Sequence, residues 1–273
     1  MDWLNRIHKA DCLEFMPTLP AASVDMVLAD LPYGVTAENP WDVVIPFNAL
    51  WAEWERLLKP NGAVVLTAMG AFTVRLCASK ISWFKYKWVW VKDQKVNSLN
   101  ASKMPMRSHE DVCVFYKNLP TYNPQKVPAA GKPRPGRRPA KVSNYRIQTF
   151  GGQSVPGERY PNDILFMASA QSEGRVYHPT QKPLALGRYL VRTYTNPGDV
   201  VLDCTCGVGT FPLAAMFEGR NFVGVELGGH DPRLDRFGYA DYHEVAVERV
   251  KAGLLEMPKG VRLSLAQVGL VGN

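Results

Sequence analysis

A glycine-rich turn between an apolar run and a helical pattern constrains the fold of this chain more than any other feature. Val200 to Leu202 precede the turn Asp203-Cys204-Thr205-Cys206-Gly207-Val208-Gly209-Thr210, and a helical pattern begins near Phe211. A short apolar run of this kind predicts a buried strand. Glycines at the junction let the backbone approach a ligand at the helix N-terminus, as in nucleotide-binding α/β sheets. The turn therefore predicts an α/β sheet that binds a nucleotide-like molecule.

A second loop follows another apolar run near the start of the chain. Val24 to Ala29 precede Asp30-Leu31-Pro32-Tyr33, which offers a carboxylate, main-chain carbonyls and an aromatic ring. Pro32 restricts the residue before it to extended geometry. Taken alone, this segment is also typical of an ordinary turn, because Asp and Pro are common turn residues. Its interpretation as a functional loop is supported by the glycine-rich turn and by the segment upstream of that turn, His178-Pro179-Thr180-Gln181-Lys182-Pro183.

Strands and helices alternate along the rest of the chain, as a doubly wound parallel sheet requires. The pattern predicts a break at residues 59–62 and a long functional or mobile loop over 92–110. The predicted strands are 6–9, 24–29, 63–67, 86–91, 112–116, 200–203 and 221–226, and the predicted helices are 12–19, 47–58, 71–79, 184–194, 211–218 and 239–255.

Length and composition narrow the class of protein. A chain of 273 residues can bury one α/β core with room for a small inserted module. No apolar run reaches the roughly 18 residues of a membrane span, and residues 1–9 lack the apolar centre of a signal peptide. The five cysteines show no metal-ligand spacing, so no metal site is expected, and they fit a reducing compartment such as the cytoplasm.

The positive charge is concentrated in one stretch. The net charge is +7, and no acidic residue occurs between Asp111 and Glu158. Proline and glycine punctuate this stretch, which therefore cannot form a packed core by itself. Such a segment is typical either of a solvated linker or of a contact with a polyanion.

The three motifs resemble those of the β-class amino-group DNA methyltransferases, which methylate exocyclic amines of bases with S-adenosylmethionine (SAM). That family has D-P-P-Y, then H-P-x-Q-K-P, then D-P-F-x-G-x-G-T, and this chain has D-L-P-Y, H-P-T-Q-K-P and D-C-T-C-G-V-G-T in the same order. The resemblance extends from about Arg6 to Leu255. Leu31 replaces a proline, and Cys204 and Thr205 replace the family's usual Pro-Phe.

The resemblance implies a Rossmann-like methyltransferase sheet that is circularly permuted, so that the end of the chain supplies the first strands of the cofactor half. It implies a catalytic half at 1–116, a basic target-recognition insert at 117–162, a cofactor half at 163–255 and a tail at 256–273. The insert is then expected to bind DNA phosphates through Lys132, Arg134, Arg137, Arg138 and Lys141, and such contacts position the DNA but do not by themselves specify a sequence.

The resemblance also implies roles for the residues of the first loop. The Asp30 carboxylate and the Leu31 carbonyl would accept hydrogen bonds from the target amine, and Pro32 would hold that carbonyl in place. Because the acceptor at Leu31 is a main-chain oxygen, the loss of the family's proline keeps the chemical group. Tyr33 would stack on a base that has been flipped out of the duplex.

For the cofactor, Asp203 would hold the ammonium group of methionine, and Glu226 the ribose hydroxyls. Gly207 and Gly209 would let the backbone approach the methionine moiety. Asp11 and Cys12 would lie near the adenine amine of SAM. The full set of implied cofactor residues is Asp11, Cys12, Thr180, Gln181, Lys182, Asp203, Cys204, Thr205, Gly207, Gly209, Thr210 and Glu226, with Thr180, Gln181 and Lys182 near the methionine carboxylate.

The implied reaction is direct transfer of the SAM methyl group to the N6 amine of adenine in DNA. Because Asp at the first loop position leans toward adenine in this family, N4 methylation of cytosine is the nearest alternative. A DNA-binding relative without activity and a methyltransferase acting on RNA or protein are further alternatives. Members of the family often dimerise, so a homodimer is an open alternative to a monomer.

Overall fold

The structure is a computed structural model, and it describes residues 2–35, 39, 42–128, 157–229 and 231–256. The chain divides into two compact units, one formed by Met1–Asn123 with Asp163–Asn273 and the other by Pro124–Asn162. The second unit falls within the predicted insert 117–162, and the four predicted domain boundaries stay a prediction. The described part contains no helix long and apolar enough to cross a membrane.

Strands and helices alternate through most of the described chain. The strands are β1 (Arg6–Lys9), β2 (Val24–Ala29), β3 (Leu58–Ala68), β4 (Phe84–Val96), β5 (Arg107–Phe115), β6 (Val127–Pro128), β7 (Glu158–Arg159), β8 (Ile164–Phe166), β9 (Val200–Asp203) and β10 (Asn221–Glu226). The helices are α1 (Cys12–Phe15), α2 (Phe47–Leu57), α3 (Gly70–Ser79), α4 (Ala170–Glu173), α5 (Leu184–Tyr194), α6 (Thr210–Phe217), α7 (Pro232–Asp235) and α8 (Tyr242–Glu256).

Eight strands form one sheet in the order β1-β10-β9-β2-β3-β5-β4-β8. The strands from β1 to β3 in this order are parallel, β5 is antiparallel to both of its neighbours, and β8 is parallel to β4. The predicted α/β class is confirmed. Strands β9 and β10, from the end of the chain, lie between β1 and β2, and circular permutation stays a prediction. In the second unit, β6 pairs with β7 in an antiparallel ladder.

Helices cover both faces of the sheet, and β2 shows why Met26 to Ala29 are apolar without a break. Met26 and Leu28 belong to the core cluster that contains residues of α5, α6 and α8. Val27 and Ala29 belong to the opposite cluster, which contains residues of α1, α2 and α3. Because alternate residues of a strand face opposite sides, a strand covered on both sides has no polar positions to alternate.

The predicted break after α2 is only partly correct. Helix α2 ends at Leu57, but β3 begins at Leu58 instead of Ala63. Leu58 pairs with Val24, and the next pair is Ala63 with Met26, so residues 59–62 form an irregularity inside the strand. A Cβ at Gly62 would lie 2.7 Å from the end of the Leu58 side chain and 3.0 Å from the Asp25 carbonyl oxygen, so the bulge favours glycine there. The segment interrupts the ladder without ending the strand.

The predicted loop over 92–110 is wrong at both of its ends. Strand β4 continues to Val96 and β5 begins at Arg107, so the two form a long antiparallel hairpin joined by residues 97–106. Most side chains in these extensions are exposed, and hence no apolar alternation marks them in the sequence. The extension of β5 brings Glu110 to the edge of the site described next.

Candidate active site

One cavity of about 530 Å³ lies where β2, β9 and β10 end. It brings together the two loops that the sequence singled out, although they lie more than 170 residues apart. Among the lining residues are all four predicted catalytic residues and every predicted cofactor residue except Gly209: Asp30, Leu31, Pro32, Tyr33, Asp11, Cys12, Thr180, Gln181, Lys182, Asp203, Cys204, Thr205, Gly207, Thr210 and Glu226. This is the edge at which open α/β sheets bind ligands.

The Asp30 carboxylate follows β2 and is held by three donors. Oδ1 accepts hydrogen bonds from the Tyr33 hydroxyl at 2.7 Å and from the Thr67 hydroxyl. Oδ2 accepts a hydrogen bond from the Lys182 ammonium at 2.6 Å. The Thr205 hydroxyl donates to the Asp30 carbonyl at 3.1 Å and thereby joins this loop to the glycine-rich turn. The carboxylate is therefore fixed in orientation inside the cavity.

Tyr33 is buried beside this carboxylate. Its ring stacks on Phe72 with 4.6 Å between centroids, so one face is covered by the protein. Burial raises the pKa of Tyr33 well above its ordinary value, with the negative charge of Asp30 acting in the same direction, so the hydroxyl keeps its proton. Asp42, which the sequence did not point to, accepts the N–H groups of Gly34 and Val35 at 2.8 Å each and anchors the chain after Tyr33.

Lys182 is 6% exposed, and carboxylates surround its ammonium group. Nζ lies 2.6 Å from Asp30 Oδ2 and 3.5 Å from Glu110 Oε2, and Glu110 forms a second ion pair with Lys92. Burial alone lowers the pKa of Lys182, but the charges of Asp30 and Glu110 outweigh it and the pKa is raised. The sequence predicted Lys182 near the methionine carboxylate of a cofactor, whereas in the structure its ammonium contacts the Asp30 carboxylate.

The two glycines of the turn have different surroundings. Gly207 has φ +52°, its N–H donates to Glu226 Oε2 at 2.8 Å, and a Cβ added there would meet no atom within 4 Å. Gly209 has φ +75°, and its Cβ would lie 3.0 Å from the Cβ of Ala246 in α8. Gly207 thus faces the cavity, while Gly209 allows close packing between the turn and a helix.

Asp203 and Glu226 supply two further carboxylates. Burial raises the pKa of Asp203 well above its ordinary value, and the negative charges of Asp30 and Glu226 raise it further. The hydrogen bond that Asp203 accepts from the Thr205 N–H lowers this pKa, but by less. Burial also raises the pKa of Glu226, although its oxygens accept the N–H groups of Gly207 and Gly228. Both groups gain from a positive charge placed in the cavity.

The segment that carries Lys182 forms a turn with hydrogen bonds between its own residues. His178 Nδ1 accepts the N–H of Thr180 at 3.2 Å, and Gln181 Oε1 accepts the N–H of Tyr177 at 3.1 Å. Burial lowers the pKa of His178 to about 4, so the ring is neutral at pH 7. The following helix α5 is capped by Glu173, whose carboxylate accepts its first free N–H groups. Lys182 therefore projects from a hydrogen-bonded turn.

Acidic side chains outnumber basic ones in the lining of the cavity. Six of the described lining residues are acidic and one is a lysine: Asp11, Asp30, Asp42, Glu110, Asp203, Glu226 and Lys182. Among the described residues, no cluster of histidine, cysteine and acidic side chains is arranged to hold a metal ion. Because carboxylates that lie together favour a cation, the cavity suits a positively charged organic ligand.

Residues 24–230 match the DNA methylase family of N6 and N4 methyltransferases. The chain belongs to this family. The match confirms the resemblance carried by the three motifs.

Individual relatives of this methylase agree with the family match. It is 28% identical, over 97% of its length and 94% of the relative, to the DNA adenine methyltransferase YhdJ of Escherichia coli (strain K12). Its fold is similar to that of M1.HpyAVI in complex with SAM, with a TM-score of 0.58 and 22% identity over 90% of this chain and 98% of the other. It is also similar to the cytosine-N4-specific PvuII DNA methyltransferase, with a TM-score of 0.59 and 16% identity over 92% and 93% of the two chains.

Several residues of the site could not be predicted from the sequence of this methylase. Glu110, Thr67 and Asp42 lie outside all three motifs, and only the fold brings them to the Asp30 loop. The predicted DNA-binding residues Lys132, Arg134, Arg137, Arg138 and Lys141 lie outside the described residues. Their contact with phosphate stays a prediction.

Proposed function

We propose that this methylase transfers the methyl group of SAM to the N6 amine of adenine in DNA. The observation that carries the proposal is the hydrogen bond from Thr205 to the Asp30 carbonyl, which holds the carboxylate loop against the glycine-rich turn in one cavity. Direct transfer requires the amine and the methyl donor to be neighbours. The adenine specificity named for the E. coli relative supports adenine as the base.

The residues of the cavity fit SAM, which carries a sulfonium and an ammonium group. The excess of carboxylates attracts a cation, and the open space beside Gly207 admits a ligand close to the backbone. Asp203 would bind the ammonium group, and Glu226, already oriented by two N–H groups, would accept the ribose hydroxyls. When bound, SAM supplies a methyl group on a positively charged sulfur that keeps the electron pair of the broken carbon–sulfur bond.

The other predicted cofactor residues would complete this site. Asp11 and Cys12 line the cavity after β1, where the adenine ring of SAM would lie, and Thr180 and Gln181 line it from the hydrogen-bonded turn that carries Lys182. Cys204, Thr205 and Thr210 complete the wall around Gly207. Gly209 would act through packing against α8, and Lys182 through Asp30.

The Asp30 loop would prepare the amine for attack. The lone pair of an exocyclic amine is delocalised into the ring, so two acceptors around the nitrogen are needed to direct that lone pair at the methyl carbon. Asp30 and the Leu31 carbonyl would accept the two amine hydrogens. The nitrogen lone pair would form the bond to the methyl carbon as the carbon–sulfur bond breaks, and the proton held by Asp30 would then pass to that carboxylate, which leaves the methylated amine neutral. Preoriented acceptors lower the barrier because they need no reorganisation during the reaction.

The target base has to leave the duplex to reach this cavity, at a cost of roughly a few kcal/mol. Tyr33 would stack on the flipped base through the face that Phe72 does not cover. The basic insert would hold the DNA backbone.

We also propose that the protein forms a homodimer, which light scattering tests. We propose further that it acts in the cytoplasm of a bacterial or phage-infected cell. Both rest on the family.

Cytosine N4 is the second candidate for the target amine. The fold is similar to that of the cytosine-N4-specific PvuII enzyme, and the same two acceptors suit either amine. Incubation of unmethylated DNA with the protein and SAM, followed by mass spectrometry of the nucleosides, separates the candidates. N6-methyladenine supports the proposal, N4-methylcytosine overturns the choice of base, and the absence of both overturns the proposed activity.

A further inference from the structure

We propose that Lys182 donates a hydrogen bond to the ring nitrogen beside the target amine, so that Asp30 and Lys182 together hold the edge of the base. The inference rests on the proposed function and deepens it. It assigns a base-positioning role to a lysine that the motif alone places near the cofactor.

The contacts of Asp30 leave one acceptor position open. A carboxylate has about four lone-pair positions in its plane. Tyr33 and Thr67 take two of them on Oδ1, and Lys182 takes one on Oδ2. The remaining position is on Oδ2, beside the lysine, and this is the one available to an amine hydrogen.

Lys182 has donors to spare. An ammonium group has three N–H donors. One is committed to Asp30 at 2.6 Å, while the contacts to the Thr180 carbonyl and to Glu110 Oε2 are both 3.5 Å long. Hydrogen bonds of that length are weak, so an acceptor entering the cavity competes well for one of these protons.

The hairpin holds the lysine in this position. Glu110 is buried at the start of β5, and its Oε2 has no hydrogen-bond partner among the described residues, apart from the ion pair with Lys182. Its other oxygen is ion-paired with Lys92 on β4. The four groups carry two positive and two negative charges, so the network is neutral and its burial is compensated.

An acceptor and a donor 2.6 Å apart match a particular chemical group. In adenine and in cytosine, the amine and an unprotonated ring nitrogen are bonded to the same carbon. Asp30 Oδ2 would accept a hydrogen from the amine while Lys182 Nζ donates to that ring nitrogen. The pair therefore orients the base in its plane, and it serves both amines equally.

A double-mutant cycle between protein and base tests the contact. The substrates are duplexes with adenine or 1-deazaadenine, which lacks the ring acceptor, at a position that the wild-type protein methylates. Lys182→Met is compared with the wild-type protein, and kcat/KM is measured for all four combinations. Because differences in intrinsic amine reactivity cancel, we expect the preference for adenine to be on the order of 10- to 100-fold larger in the wild-type protein than in the variant. An equal preference in both would overturn the inference.

Two further variants guard against a general structural effect. Glu110→Gln keeps Lys182 but loosens its support, and it is expected to reduce the preference part of the way. It also provides a result if Lys182→Met does not fold. Lys85→Met, which changes an exposed lysine that contacts the Ser82 carbonyl, should leave the preference unchanged.

Binding of SAM separates the inference from the role that the motif suggested. We expect Lys182→Met to bind SAM at least as tightly as the wild-type protein, because the cavity becomes more negative. A tenfold or larger loss of SAM affinity would place Lys182 on the methionine carboxylate and overturn the inference. If cytosine is the target, the cycle uses 3-deazacytosine. Failure of the wild-type protein to methylate either natural base would overturn the proposed function itself.

Discussion

Gly207 offers the sharpest test of where SAM binds, because Gly219 provides a matched control. Both residues have positive φ, +52° and +72°, and a Cβ added at either would meet no atom within 4 Å. Alanine at either position therefore carries the same left-handed backbone strain of about 1–2 kcal/mol. For a chain of this size that strain lowers Tm by about 2 to 8 °C. Only Gly207 lines the cavity.

The two alanine variants should differ in SAM binding alone. A methyl group added to a well-packed ligand site costs about 1–3 kcal/mol. We therefore expect Gly207→Ala to weaken the Kd for SAM by about 5- to 150-fold in isothermal titration. Gly219→Ala should bind SAM as the wild-type protein does. Equal SAM affinity in the two variants, with both folded by calorimetry, would refute the placement of SAM against the glycine-rich turn.

Three further results are expected from Asp30 and Asp203. Asp30→Ala should lower kcat by roughly 100-fold or more, because an acceptor for the amine hydrogen is lost, while titration should show that SAM still binds. Full activity of this variant would contradict the role of Asp30. Because the folded pKa of Asp203 is raised above its ordinary 3.8, folding stability falls as pH increases from 3.8 toward the raised value. Asp203→Asn should therefore gain Tm relative to the wild-type protein as the pH increases from 3.8 toward the raised pKa, and an unchanged difference would contradict this. The wild-type affinity for SAM should also increase with pH as Asp203 ionises, and calorimetry of the Asn variant should show a smaller increase, because only the raised pKa of Glu226 then contributes.

The parts of the fold that the sequence predicted best are the ones buried on both faces. The bounds of β2 and β9 agree with the predicted strands 24–29 and 200–203, because the consecutive apolar residues Met26 to Ala29 and Val200 to Leu202 mark strands that are covered on both sides. The ends of β4 and β5 were missed because their extensions are largely exposed. The predicted start of β3 at Ala63 was wrong because Pro and Gly, as at residues 59–62, mark a bulge inside a strand as well as the end of one.

The candidate site divides in the same way. Its motif residues could be found because glycine, proline and carboxylate chemistry leaves a local pattern, as at Asp30 and Gly207. The partner of Lys182 could not be found, because 152 residues separate it from Asp30 and only the sheet order brings them together. No sequence pattern around Glu110 predicts its burial, because a buried acid in this hairpin is explained only by its ion pairs with Lys92 and Lys182.

The central claim is that this chain moves a methyl group from SAM to the N6 amine of adenine in DNA. Its most direct test uses SAM with an isotopically labelled methyl group, unmethylated duplex DNA and mass spectrometry of the digested nucleosides, with Asp30→Ala as the control. Labelled N6-methyladenine that depends on Asp30 is the expected result. Labelled N4-methylcytosine would contradict the choice of base, and DNA without label, from protein that binds SAM, would contradict the claim as a whole.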